Sequence, residues 1–170
     1  EKLLALVASG EVTIPANKLR GKRKLCGIGR ALTVKVNANI GVSTSANSIE
    51  IEKGKLRAAL DAGADAVMDL SVGPEALEMR GIFMKECDAL TGCVPLYRLM
   101  TKFRGDVSVI SEKDFIEAVL ADARDGMDFA TVHSGISLRE LEHADKRVMG
   151  IVSRGGSFAA RWMKYHKKEN

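Results

Sequence analysis

The chain is short of the residues that staple, stack or span. Its three cysteines, Cys26, Cys87 and Cys93, are an odd number with no CxxC among them, which excludes a disulfide framework. The spacing of Cys87 and Cys93 fits no common zinc or cluster pattern, so these read as buried or incidental thiols. Aromatic residues make up 5% of the chain, with a single tryptophan, Trp162. A basic surface interleaved with aromatics for nucleic acid is therefore missing, and no nucleic-acid module is recognisable. No apolar run approaches the ~18 residues of a membrane span, and no secretory leader is recognisable. The expectation is a cytoplasmic chain with reduced thiols and no membrane partner. Neither an HExxH pattern nor a nucleophile triad is present, and no metal ligands or catalytic residues can be assigned.

What is present is an ordinary soluble balance. The 170 residues are 46% apolar and 28% charged, enough for one domain with a core. That is shorter than the ~250 residues typical of a closed (β/α)8 barrel. The net charge of +4 gathers at KLRGKRK (residues 18–24) and KYHKK (residues 164–168). Such runs usually form a solvated face; an anionic small molecule such as a phosphate ester is the milder functional inference.

The organising stretch is GMDFATVHSG (residues 126–135), echoed by GADAVMDLS (residues 63–71). Gly63 aligns with Gly126, Asp65 with Asp128 and Ser71 with Ser134, a constant offset of 63 residues. Each copy follows a charged helical pattern, carries a stop glycine, runs apolar, and ends in a polar group, Asp69 or His133. That predicts helix, tight turn, buried parallel strand and a functional residue at the strand's carboxyl end.

Residues 1–10 predict a helix stopped by Gly10. A polar connector follows, in which Gly27 and Gly29 resemble half a nucleotide loop but read better as plain loop. Strands are predicted at residues 32–37, 66–70, 92–97, 129–133 and 148–152. Helices are predicted from Asn47 with Glu50 as capping partner, from Gly73-Pro74, from Ser111 with Asp114, over residues 138–145, and over residues 157–166. On the helix after Ser111, Phe115, Ile116, Val119, Leu120 and Ala123 form the expected buried face. Pro95 is expected near a strand end, with Tyr97 at the rim. The fold class is α/β: five successive βα units forming a parallel sheet with helices outside. The units belong either to an incomplete barrel or to an open doubly wound sheet. Residues 1–30 form a helix and connector, and residues 31–170 the α/β domain.

In such folds the carboxyl ends of the strands share one ligand-binding face. That face is expected to carry Asn37, Asn39, Asp69, Tyr97, His133, and Ser153 with Arg154. Taken singly, Asn39 and Asp69 read better as caps, and His133 has a neutral core alternative; their convergence favours a site. SRGG (residues 153–156) is the most specific local signal. Its glycines, helix start, Arg154 fork and Ser153 hydroxyl together suit a phosphate monoester. Met68, inside a strand, reads as core. His143 and His166 read as surface, Trp162 and Met163 as packing.

VNANIG (residues 36–41), VMDLS (67–71), VPLY (94–97), VHSG (132–135) and IVSRGGS (151–157) occur in the order seen in the phosphomethylpyrimidine synthase family, which the whole chain resembles. IPAN (14–17) and HKKEN (166–170) are similar to family stretches too. The resemblance implies a non-canonical radical S-adenosylmethionine enzyme on a (β/α)8 barrel, of which these are the first five or so units. The implied reaction converts 5-aminoimidazole ribonucleotide to 4-amino-5-hydroxymethyl-2-methylpyrimidine phosphate in thiamine biosynthesis. The implied substrate contacts are Asn39, Met68, Tyr97 and His133, with Ser153, Arg154 and Gly155 on the phosphate. That moves Met68 from core to ligand. The full-length family implies S-adenosylmethionine, a [4Fe-4S] cluster, a divalent metal such as zinc and a homodimer. None of the cofactors is expected to be held by this chain alone, because the family's second half and its CxxCxxxxC do not occur in it, and the natural protein is expected to be longer. The same motifs resemble the sister 5-hydroxybenzimidazole synthases, which use the same ribonucleotide. A non-catalytic phosphate-ligand binding module is the reading from a different class.

Overall fold

A computed structural model describes residues 1–21, 23–45 and 48–170. The apolar start of the chain forms helix α1 (Lys2–Ala8), none of whose residues is buried, and Gly10 follows in the left-handed region. The connector then contributes a short antiparallel pair, β1 (Val12–Thr13) with β2 (Ile28–Gly29), where the sequence suggested only loop.

The main sheet is parallel and its strands lie in chain order: β3 (Asn37–Ile40), β4 (Ala66–Asp69), β5 (Leu90–Cys93) and β6 (Phe129–Ala130). Helices α2 (Ile49–Asp61), α3 (Ala76–Glu86), α4 (Pro95–Lys102), α5 (Glu112–Arg124), α6 (Leu138–Ala144) and α7 (Arg154–His166) accompany it. Ser48 caps α2 by accepting from the Ile51 amide; Asn47, expected as that cap, lies outside the described residues. Ser111 and Asp114 form the expected capping box on α5.

The repeated glycine turns are built alike. Gly63 and Gly126 have φ of +83° and +96°, a conformation that glycine adopts without steric cost. The Gly63 and Ala64 amides donate to Leu60 and Ala59 carbonyls, and the Gly126 and Met127 amides to those of Ala123 and Asp122. The aspartate two residues on then clamps the neighbouring strand. Asp65 donates its amide to Val36 O (2.9 Å) and accepts the Val36 amide on Oδ2 (2.9 Å). Asp128 does the same with Thr91, at 2.8 and 3.0 Å. The two copies therefore share a structural job. Among the described residues, cations gather on Asp128 and not on Asp65: Arg20 and Arg23 of the basic connector both bond the Asp128 carboxylate, and Asn17 donates its amide to it. The basic run is thus partly spent on an internal aspartate.

Three predicted strands shift or vanish. The first pairs over Asn37–Ile40 rather than residues 32–37, because β4 begins at Ala66 and offers no partner to residues 32–35. The third ends at Cys93. Pro95 opens α4, where its missing N–H costs nothing and its fixed φ suits the first turn. The fifth does not form. Residues 148–152 are irregular, with Val148, Met149 and Val152 exposed, so among the described residues the parallel sheet has four strands, not five.

Two apolar clusters flank the sheet. One joins Ile40 and Val67 to Leu56, Met79 and Phe83 of α2 and α3. The other joins Met68 to Leu96, Tyr97 and Leu99 of α4 and to Phe158, Trp162 and Met163 of α7, so Trp162 and Met163 pack as expected. On α5 the expected apolar face is right only at Phe115, which packs against Trp162. Ala118 and Asp122 point inward, while Ile116, Val119 and Leu120 are exposed. Asp122 goes in because it takes the charge of buried Arg80, which also holds Asp69.

Removing Asp128 leaves two arginines, each with a side chain only 7% exposed, without their carboxylate. Asp128→Ala is expected to cost about 3–5 kcal/mol. Asp65→Ala, which loses a clamp without cations, is expected to cost nearer 1 kcal/mol. Urea denaturation of both variants checks the difference.

Candidate functional site

Helix α7 begins where Ser153 Oγ accepts the Gly156 amide at 3.1 Å. Its first turn contains no acidic residue, so the partial positive charge of the helix end is not compensated from within the helix. Gly155 and Gly156 are buried at that end, while Ser153 and Arg154 are exposed. The Arg154 guanidinium carbon lies 5.5 Å from the centre of the Tyr97 ring. Tyr97 does not sit at a strand end as expected. It is the third residue of α4 and buried at 8% exposure, and it reaches the same place because α4 starts directly after β5.

Asn39, Tyr97 and Arg154 line one cavity of about 390 Å³, together with Glu52 and Lys55. Arg154 also borders a wider cleft of about 840 Å³ that includes Thr44, Gly73, Thr101 and Arg104. Asn39 is an in-register neighbour of Met68 on β4, which neighbours Gly92 on β5, which neighbours Phe129 on β6. These four share one sheet face. Gly92 is required there, because a Cβ would overlap the Phe129 ring. Met68 is 6% exposed and packs in the α4–α7 cluster, and it does not line the Asn39 cavity.

His133 follows β6 and packs its ring directly on Gly155; a Cβ at that glycine would overlap the imidazole. Its Nδ1 is buried with no hydrogen-bond partner. Burial holds its pKa below the ordinary 6.5, favouring the neutral ring. His133 also lines an apolar cavity of about 280 Å³ with Pro95, Phe115, Val132 and Trp162. The site residues thus divide into Asn39, Tyr97 and Arg154 around one cavity, His133 against Gly155 beside it, Ser153 capping its own helix, and Met68 in the packed layer.

Two rim candidates serve the fold instead. Asn37 starts β3 and donates its side-chain amide to Asn39 Oδ1 (3.1 Å). Asp69, 1% exposed, accepts the Ser71 amide (2.9 Å) and Arg80 Nε (3.0 Å). Burial disfavours the Arg80 charge, but Asp69 and Asp122 outweigh it and raise its pKa. Cys93, beneath Asp122, has its thiol pushed far up by burial and by that carboxylate, so it is neither a nucleophile nor a ready metal ligand. Among the described residues no group of three or more His, Cys, Asp or Glu is placed to hold a metal ion. Among them, too, no helix is long and apolar enough to cross a membrane. Glu52 and Lys55 escaped notice in the sequence because a Glu-x-x-Lys pair on a charged helix looks like ordinary surface.

His133 is expected to titrate below 6.5 by NMR in the folded chain. Its folded pKa is below the unfolded one, so its contribution to stability is complete above the unfolded value and is lost as pH falls through the folded value. In Gly155→Ala the added methyl displaces the ring, and the titration should return toward 6.5; an unmoved titration would contradict the packing.

A model of the radical SAM ThiC family matches residues 1–170. The chain is 43% identical over its whole length to phosphomethylpyrimidine synthase 2 of Methanothermobacter thermautotrophicus, covering 41% of that protein. It is 42% identical, again over its whole length, to phosphomethylpyrimidine synthase of Desulforudis audaxviator, covering 40%. Over 96% of its length it is 46% identical to the phosphomethylpyrimidine synthase of Desulforamulus reducens, covering 39%. The chain therefore spans about two fifths of the length of these curated relatives.

Proposed function

The chain belongs to the radical SAM ThiC family, and from that premise we propose that it forms the ribonucleotide-binding part of a phosphomethylpyrimidine synthase. In this reading the four-stranded sheet is an arc of a (β/α)8 barrel, and the ligand is 5-aminoimidazole ribonucleotide on its way to hydroxymethylpyrimidine phosphate. One observation carries it: Arg154 stands at an uncompensated helix start, over Tyr97, in a cavity shared with Asn39.

Each residue has a task that its surroundings support. The phosphate lies at the start of α7, where backbone N–H groups and the helix end favour an anion and Arg154 supplies a planar fork. Buried Gly155 lets the phosphate approach the backbone while leaving room for the His133 ring. His133, held neutral by burial, packs on Gly155 and lines the adjoining cavity, so it shapes the backbone that receives the phosphate and meets the ligand through the ring. Asn39 supplies an amide that reads polar atoms of the base or ribose. Met68 stands beside Asn39 on the same sheet face and anchors that strand in the packed layer under α4 and α7.

The family name implies S-adenosylmethionine and an iron–sulfur cluster. The cysteines of this chain do not fit a cluster. Cys87 packs in the apolar layer of α2 and α3, Cys93 is held as a thiol, and Cys26 lies on the connector. No reaction step is therefore assigned to this chain's cysteines. Its part is binding and orientation, with the radical chemistry belonging to residues outside it.

Arg154→Ala in the full-length protein should weaken ribonucleotide binding by about tenfold to a hundredfold, the worth of a charge-assisted hydrogen bond. Calorimetry measures it, and unchanged affinity would remove the phosphate site from α7.

A further inference from the structure

A glutamate buried at the rim has no role in the binding scheme above. Glu52 lies in the first turn of α2 and is 2% exposed. A carboxylate so placed is costly unless its oxygens are matched. Both are. Oε2 accepts the amide of Gly41, just past the end of β3, at 2.8 Å. Oε1 accepts Lys55 Nζ at 2.6 Å. The neighbouring Lys53 pairs instead with Glu50 and Glu86.

Glu52 and Lys55 line the same cavity as Asn39, Tyr97 and Arg154. The Lys55 side chain is 53% exposed, so its ammonium is tethered on one side and open on the other. An ammonium has three donors, and one is committed to Glu52. Lysine ordinarily loses much rotamer freedom when it binds an anion; here the buried carboxylate has already restricted it. Of the charged groups lining the cavity, Arg154 and Lys55 are the cations, and the single anion is committed to Gly41 and Lys55.

We propose that Lys55 is a second phosphate-binding cation, held at the rim by Glu52 as a positioning residue that also fixes the end of β3. The inference rests on the reading of the cavity as the ribonucleotide site. Arg154 and Lys55 grip the phosphoryl group together, and the Glu52–Gly41 bond keeps Lys55 in step with Asn39, two residues before Gly41.

The test is calorimetry of 5-aminoimidazole ribonucleotide binding to the full-length protein and to Lys55→Met, Lys55→Arg, Glu52→Gln and Arg154→Ala, with the ligand-free melting temperature of each. Lys55→Met should weaken binding about tenfold, and Lys55→Arg should restore it to within about threefold of wild type. Glu52→Gln keeps an acceptor for Gly41 but removes the charge that holds Lys55, and should fall between the two. The melting temperature of Lys55→Arg should stay within about 2 °C of wild type, because it keeps a cation beside buried Glu52, whereas Lys55→Met leaves that carboxylate with Gly41 alone and should melt lower while remaining folded. If Lys55→Met binds normally while Arg154→Ala binds weakly, Lys55 has no part in binding and the α7 site survives. If Lys55→Arg is as weak as Lys55→Met, the charge is not what matters and the proposal is overturned. If Arg154→Ala binds normally, the reading of the cavity fails first.

Discussion

A single guanidinium fixes where the strand ends can go. Arg80 projects from α3 into a space that is 5% exposed and meets Asp69 at the end of β4 and Asp122 on α5. Arg98 of α4 completes the set by bonding Asp122 and Asp125. Three helices and one strand are thereby tied at one point. Charges buried this deeply tolerate few arrangements, because any shift leaves a carboxylate or guanidinium without its partner. The rim residues depend on this register. Asp69 holds the Ser71 amide, and Ser71 Oγ accepts the Val42 amide, so the loops after β4 and β3 are set together.

From that base the rim is assembled by backbone contacts as much as by side chains. Glu52 ties down Gly41, Thr101 accepts the Gly73 amide, and Gly155 receives the His133 ring. The polar groups lining the cavity that the fold leaves partly open are Arg154, the side-chain amide nitrogen of Asn39 and one face of Lys55. Asp69, a residue of equally suitable type, is used up by the Ser71 amide and Arg80, and Asn37 is turned toward Asn39. A strand-end position is thus not sufficient for a site residue in this architecture, and Tyr97, Lys55 and Arg154, all on helices, show that it is not required either.

Much of this was readable in the chain. The helix stops at Gly63 and Gly126, the aspartates two residues on and the capping box of Ser111 with Asp114 are local devices, and they act locally. The Ser-Arg-Gly-Gly helix start was legible for the same reason. What failed depended on partners. Residues 32–35 alternate like a strand but have no neighbour to pair with. Residues 148–152 are apolar like a buried strand, yet Val148 and Val152 face solvent. Pro95 fits the end of a strand as well as the first turn of a helix, and the extended Val94 before it as N-cap makes it a helix start. The inward face of α5 was misassigned because hydrophobicity places aspartate outside, and only the distant Arg80 explains why Asp122 is inside. The Glu52–Lys55 pair was invisible because its importance lies in Gly41, eleven residues earlier.

The connector grips Asp128 from outside the sheet. Residues 17, 20 and 23 precede the sheet in the chain and lie outside it, yet they satisfy a carboxylate whose side chain is wholly buried. They act toward the rest of the molecule as a bound effector would, with covalent attachment supplying the local concentration that an untethered peptide would lack. Proteolytic nicking between this segment and β3 would turn that intramolecular contact into a dissociable one, and the sheet's integrity would then depend on dilution.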